Sequence, residues 1–167
     1  MQKLFTIGRI ATPAAVLAGL TMAALLMRPS FAAPVFPDPS SARSDIDSAL
    51  KQAASSHKRV LVDFGANWCG DCRALDENLH KPENASLLSA HFVLVRVNVG
   101  DKGIDHNVDL AQRYGIPLNK GVPALAVLDS DGRVVFSQKN GEFESMSRMD
   151  ARSVNEFLTR WKPGPSP

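Results

Sequence analysis

The chain has 167 residues, 44% of them hydrophobic and 22% charged, with a formal net charge of +2 and two cysteines. Lys3, Arg9 and Arg28 lie in the first 32 residues, which carry no acid, so the remainder holds 16 basic against 17 acidic side chains. That balance implies no nucleic-acid-binding surface, and about 135 residues can bury a core without help from a disulfide.

Residues 1–32 predict a secretory signal. Lys3 and Arg9 form a positive start, "IATPAAVLAGLTMAALLM" follows as an apolar stretch, and Ser30 and Ala32 are small residues two apart. Cleavage after Ala32 is preferred to cleavage after Ala33, which would set Pro34 beside the scissile bond. An uncleaved membrane anchor is the alternative, because the stretch approaches the length of a span. Either route exports the rest of the chain to where disulfides persist.

"APVFPDPSSAR", residues 33–43, reads as a flexible leader, and a single domain is expected over residues 44–162. Ser44 with Asp47 makes a capping-box start, and Ile46, Leu50, Ala53 and Ala54 follow at helical spacing. "RVLVDFGA" predicts a buried strand, "CGDCRALDENLH" and "ENASLLSAH" two short helices, and "FVLVRVNV" the next strand. "NVDLAQRYG" predicts a helix ended by Gly115, and "GIPLNKGVPA" a loop with two prolines. "ALAVLDSDGRVVFSQ" reads as a hairpin around an Asp-Ser-Asp-Gly turn, too short for a calcium loop. The last helix starts near Asp150 and carries Val154, Phe157, Leu158 and Trp161 on one face; residues 163–167 are a frayed tail. The order implies an α/β fold, a mixed sheet covered by helices.

Cys69 and Cys72 stand where the first strand gives way to a helix. Tetrahedral zinc needs four ligands, and His57, His80, His91 and His106 show no ligand spacing, so no metal site is expected. Two thiolates can hold Cu(I), but no methionine or histidine cluster supports it. A static bridge over so small a loop removes little chain entropy. A redox pair is the remaining use.

Here the sequence resembles the thioredoxin family. "VDFGANWCGDC" is similar to the family's V-D-F-W-A-x-W-C-G-P-C, and "YGI…GVPALAVLDSDG" to its Gly-Ile/Val-Pro-Thr stretch and turn. The resemblance covers about residues 58–161 and implies a thioredoxin fold with a central mixed sheet of about four strands. It also implies that Cys69 is the attacking thiol, favoured as thiolate by its place at a helix N-terminus, and Cys72 the resolving one. Asp63 corresponds to a buried acid that assists proton transfer at the resolving cysteine; a solvent-facing strand acid is the alternative. Arg96 falls where the family has a lysine near that acid, and an ordinary surface-strand arginine is an equal reading. Val122-Pro123 is implied to be a cis bond facing the cysteines, with Val122 pairing to substrate backbone. Trp68 is either an apolar platform for the partner or core filler, and Gly70 permits the close turn between the sulfurs.

Three departures stand out. Asp71 replaces the proline between the cysteines, opposing a thiolate on Cys69. Gly65 replaces an aromatic and is expected to open space near the site. Asn98 to Pro123 spans 25 positions, so longer loops should reshape the groove. The implied function is a periplasmic thiol–disulfide oxidoreductase on protein substrates, a reductase more than an oxidant because Asp71 should lower the potential. It needs no bound cofactor but a membrane-linked electron donor, and is expected to be a monomer. The rival is a thioredoxin-fold adaptor or Cu(I)-handling protein.

Overall fold

The chain enters its fold earlier than the Ser44 capping box predicts. Asp38 caps a 3-10 turn at Pro39–Ser41, its Oδ1 accepting from Ser40 N at 2.8 Å. Pro39 fixes φ at the start of that turn, and helix α1 (Ala42–Ser56) continues from it. Ser44 therefore lies inside the first helical turn, where its hydroxyl donates to Ser41 O at 2.8 Å. In this computed structural model the described residues are 34–143, 145 and 150–164. The expected signal segment and residues 165–167 of the expected tail lie outside them.

Helix α1 turns Ala42, Ile46, Ala49 and Ala53 inward and ends at His57, which adopts a left-handed conformation at φ 55°. Strand β1 (Arg59–Gly65) follows and is buried from Val60 onward. Its β-branched run suits a central strand covered on both faces. Next come helix α2 (Gly70–Leu79), helix α3 (Pro82–His91) and strand β2 (Phe92–Asn98). Helix α4 (Val108–Arg113) closes at Gly115, whose φ of 69° suits a residue without a side chain. Strands β3 (Ala124–Leu128) and β4 (Val134–Ser137) form the hairpin, and α5 (Ala151–Trp161) starts from an Asp150 cap on Ser153 N.

The strand order is β2-β1-β3-β4, with β1 parallel to β2 and antiparallel to β3, and β4 antiparallel to β3. This is the mixed four-stranded sheet expected, and alternation divides its side chains between two layers. Val60, Val62 and Phe64 pack with Ile46, Val97, Leu110 and Ala126, toward α1 and α4. Leu61 packs with Leu75, Leu79, Leu125, Val154 and Leu158, toward α2 and α5.

The flexible leader is a correction. Val35 packs against the core and Phe36 is 1% exposed within it. Asn67 grips Phe36 through two bonds, Nδ2 donating to its carbonyl at 2.8 Å and Oδ1 accepting from its N–H at 2.9 Å. Asn98 and Asn107 donate to the carbonyls of Pro37 and Pro39, each at 2.9 Å. Proline and serine made the segment read as a linker, but burying one Phe ring contributes about 2–3 kcal/mol, and the three asparagines satisfy backbone groups that no strand pairs. Residues 34–41 are a docked strap.

Gly65 is the second correction. A Cβ at this position would lie 2.8 Å from Phe36 Cε1 and 2.9 Å from Cys72 Sγ. The space is not open: the strap's ring fills it.

Candidate active site

Strand β1 delivers Cys69 to the N-cap of α2, with extended backbone angles of φ −79° and ψ 115°. The chain then turns straight into helix, so Cys72 falls in the first turn, with the two Cα atoms 5.2 Å apart and the sulfurs joined as a disulfide. Cys69 Sγ accepts from Cys72 N at 3.1 Å, occupying one of the N–H groups that a helix start leaves without a partner. The same groups and the helix dipole would favour negative charge on Cys69 after reduction. Cys69 is 6% exposed and Cys72 is fully buried. Both cysteines are buried, and of the two residues only Cys69 keeps any exposed surface.

Three segments frame Cys69. The Val122–Pro123 bond is cis, and Val122 O lies 3.5 Å from Cys69 Sγ. Trp68 is 44% exposed, with its Nε1–H donated to Gly100 O at 2.9 Å. It is a surface ring tied to the loop after β2, so the core-filler reading does not apply. Gly70 opens α2, and a Cβ added there would meet nothing within 4 Å. The close turn between the sulfurs therefore does not require glycine, which corrects the role expected of Gly70. Asp71 stands half-buried in the first turn of α2, where a carboxylate complements the dipole.

Asp63 is completely buried, and neither carboxylate oxygen has a hydrogen-bond partner. It follows Leu61 by two residues and so shares the sheet face beneath α2. Burial pushes its pKa up to about 7; Arg96 pulls it down and Asp76 pushes it up. Arg96 is opposite Asp63 in the parallel register of β1 and β2. Its guanidinium goes elsewhere: Nε donates to Asp76 Oδ1 at 3.0 Å, and Nη2 bonds the same carboxylate. The two groups do not meet in a salt bridge, so Arg96 does not hold Asp63 firmly ionised. Its charge is shared with an acid on α2.

Several residues of this region escaped the sequence reading. Gln138 is buried just after β4 and brackets the start of β3, its Oε1 accepting from Leu125 N at 3.1 Å and its Nε2 donating to Pro123 O at 3.3 Å. A glutamine ending the apolar run "VVFS" was the available signal. Asp76, Asn67 and Asn98 had no comparable mark. Among the described residues, no group of three His, Cys, Asp or Glu side chains could hold a metal ion.

A disulfide at the start of the helix after β1, on a mixed four-stranded sheet, defines a class: thioredoxin-fold proteins with a Cys-x-x-Cys pair. Residues 41–130 match the family model described as thioredoxin-like, and the chain belongs to that family. A solved disulphide isomerase from Xylella fastidiosa Temecula1 is 36% identical, with a TM-score of 0.71 over 75% of this chain and 95% of that one. The probable thioredoxin-2 of Caenorhabditis elegans is 33% identical over 119 residues, 68% of each chain. The protein disulfide-isomerase of Ricinus communis is 34% identical over 112 residues, 67% of this chain and 20% of that longer protein. The C-terminal domain of Neisseria meningitidis DsbD, 24% identical with a TM-score of 0.52 over 75% of this chain and 97% of that one, shares the fold.

Proposed function

We propose that the chain is a thiol–disulfide oxidoreductase acting on protein substrates. The observation that carries this reading is the asymmetry of the disulfide: Cys69 at the N-cap of α2 with a sliver of exposed surface, Cys72 in the first turn and fully buried. The names of the relatives, disulfide isomerase and thioredoxin, support the same reaction class.

In the reducing direction, the Cys69 thiolate attacks a substrate disulfide. One S–S bond forms, the substrate bond breaks, and the departing thiolate takes a proton. Cys72 then loses its proton, with Asp63 as the accepting base, and attacks Cys69 Sγ. The second substrate thiolate leaves, and the protein is left with the Cys69–Cys72 disulfide. Two electrons have passed from the dithiol to the substrate. Trp68 and the Val122–Pro123 segment receive the substrate chain beside Cys69, and Gly70 leaves room for it.

We assign the protein to the periplasm on the signal pattern of residues 1–32, and infer that it works as a reductase recharged by a membrane-linked donor. Asp71 carries the direction: a carboxylate two positions after Cys69, in the first turn of α2, disfavours the thiolate and so lowers the reduction potential. Asp71→His should raise the potential by a few tens of millivolts, where roughly 30 mV corresponds to about 1.4 kcal/mol. Equilibration with glutathione buffers measures it, and an unchanged potential removes the support for the reductase direction.

Insulin reduction by the protein tests the activity. Wild type should precipitate the insulin chains and Cys69→Ser should not. An inert wild type with intact fold would overturn this reading in favour of an adaptor.

A further inference from the structure

The strap brings an aromatic ring to the buried sulfur. Phe36 Cε1 and Cys72 Sγ both lie within 3 Å of the point where a Gly65 side chain would begin, at 2.8 and 2.9 Å. The absence of a side chain at Gly65 is what lets ring and sulfur share that space. Phe36 belongs to the same buried cluster as Cys69 and Cys72. Its backbone is held on both sides by Asn67, two residues before Cys69.

The strap is also wired to the exposed side of the site. Asn98 donates to Pro37 O at 2.9 Å and accepts from Gly100 N at 3.0 Å. Gly100 O in turn accepts from Trp68 Nε1 at 2.9 Å. One continuous set of bonds therefore runs from the strap to the residue before Cys69.

We propose that Phe36 is a positioning residue for disulfide exchange: its ring walls Cys72 off from solvent and partners, so that exchange enters through Cys69 alone. This rests on the function proposed above and deepens it. When a partner thiolate attacks Cys69 Sγ, a new S–S bond forms, the Cys69–Cys72 bond breaks, and the electron pair leaves on Cys72, which takes one proton. Attack on Cys72 would leave the mixed disulfide on a buried sulfur, with Cys69 outside and the partner wedged against the core. The ring closes that route.

The test is alkylation of the reduced protein by iodoacetamide under native conditions, with fragment-ion mapping to separate Cys69 from Cys72. Wild type should be modified at Cys69, with Cys72 protected. In Phe36→Ala, Cys72 should be modified roughly tenfold faster than in wild type while Cys69 changes by less than about twofold. Phe36→Leu, which keeps an apolar plug, should retain most of the protection. Should the alanine variant fail to fold, Asn67→Ala releases the strap backbone without touching the ring and should expose Cys72 in the same sense. Cys72 as well protected in the folded variant as in wild type overturns the proposal. The readout needs no turnover, so it is independent of whether insulin is reduced.

Discussion

The two faces of β1 are built to opposite rules within a few residues of each other. Toward α1, Val60, Val62 and Phe64 are fully buried among apolar neighbours. Toward α2, Leu61 is followed by Asp63, equally buried, whose oxygens bond to nothing. A buried carboxyl without partners costs free energy whether neutral or charged. The first face thus contributes stability and the second gives some up. The difference teaches where the fold carries a stability cost: on the face that lies beneath the helix carrying the cysteines.

Moving a carboxylate to the apolar face breaks the contrast most severely. Val62→Asp should cost about 4–5 kcal/mol, enough to leave little folded protein at neutral pH. Asp63→Leu should leave a folded and more stable protein. Urea unfolding of the pair checks both, and comparable destabilisation by each would mean that the faces are equivalent.

Asp63→Asn acts through pH. With the folded pKa near 7 and the unfolded value near 3.8, the native state holds a proton between them that the unfolded state has lost. Stability therefore falls as pH rises through this window and is level above it. Asparagine removes the fall. The variant should match wild type near pH 4 and exceed it at about pH 8 by roughly 2 kcal/mol, below the ceiling of about 4 kcal/mol that the full shift allows. Parallel pH profiles of the two proteins would show that Asp63 is not a buried titrating acid.

The same substitution should slow insulin turnover about tenfold near pH 7 and little near pH 9, where solvent base can take the Cys72 proton unaided. Equal slowing at both values would make Asp63 structural only. A gain in stability together with a loss of rate would set the two faces apart by function as well.

How far this division was legible follows from the range of each signal. The Cys-Gly-Asp-Cys stretch, the apolar strand before it and the helical spacing after it are local patterns, so site and fold could be read together. Burial of Asp63 followed from its neighbours Val62 and Phe64. Phe36 could not be placed, because proline and serine around it mark a linker, while its partner Asn67 is 31 positions away and Asn98, which holds Pro37, is 61 positions from that residue. The Arg96–Asp76 pair was hidden for a similar reason: residues 20 apart meet only after β2 has returned beside β1. Reading Gly65 as open space assumed that only local residues could fill it.

The smallest effects belong to the charges around Asp63, and they carry opposite signs. Asp76 neutralises part of the Arg96 charge that would otherwise favour an ionised Asp63. Asp76→Asn keeps an oxygen for the guanidinium to bond but removes the negative charge, so Arg96 acts on Asp63 with less compensation. The Asp63 pKa should then fall below about 7. Arg96→Met removes the favourable charge and leaves Asp76, so the pKa should rise. Each shift should stay within about one pH unit, because the Arg96–Asp76 pair is partly open to solvent and screened. A carboxyl ¹³C titration of Asp63 reads the midpoint directly, free of the stability lost when the ion pair is broken. Shifts of the same sign in both variants would mean that packing, and not charge on α2 and β2, sets the proton affinity of the buried acid. Opposite signs would make the Arg96–Asp76 pair its tuning device.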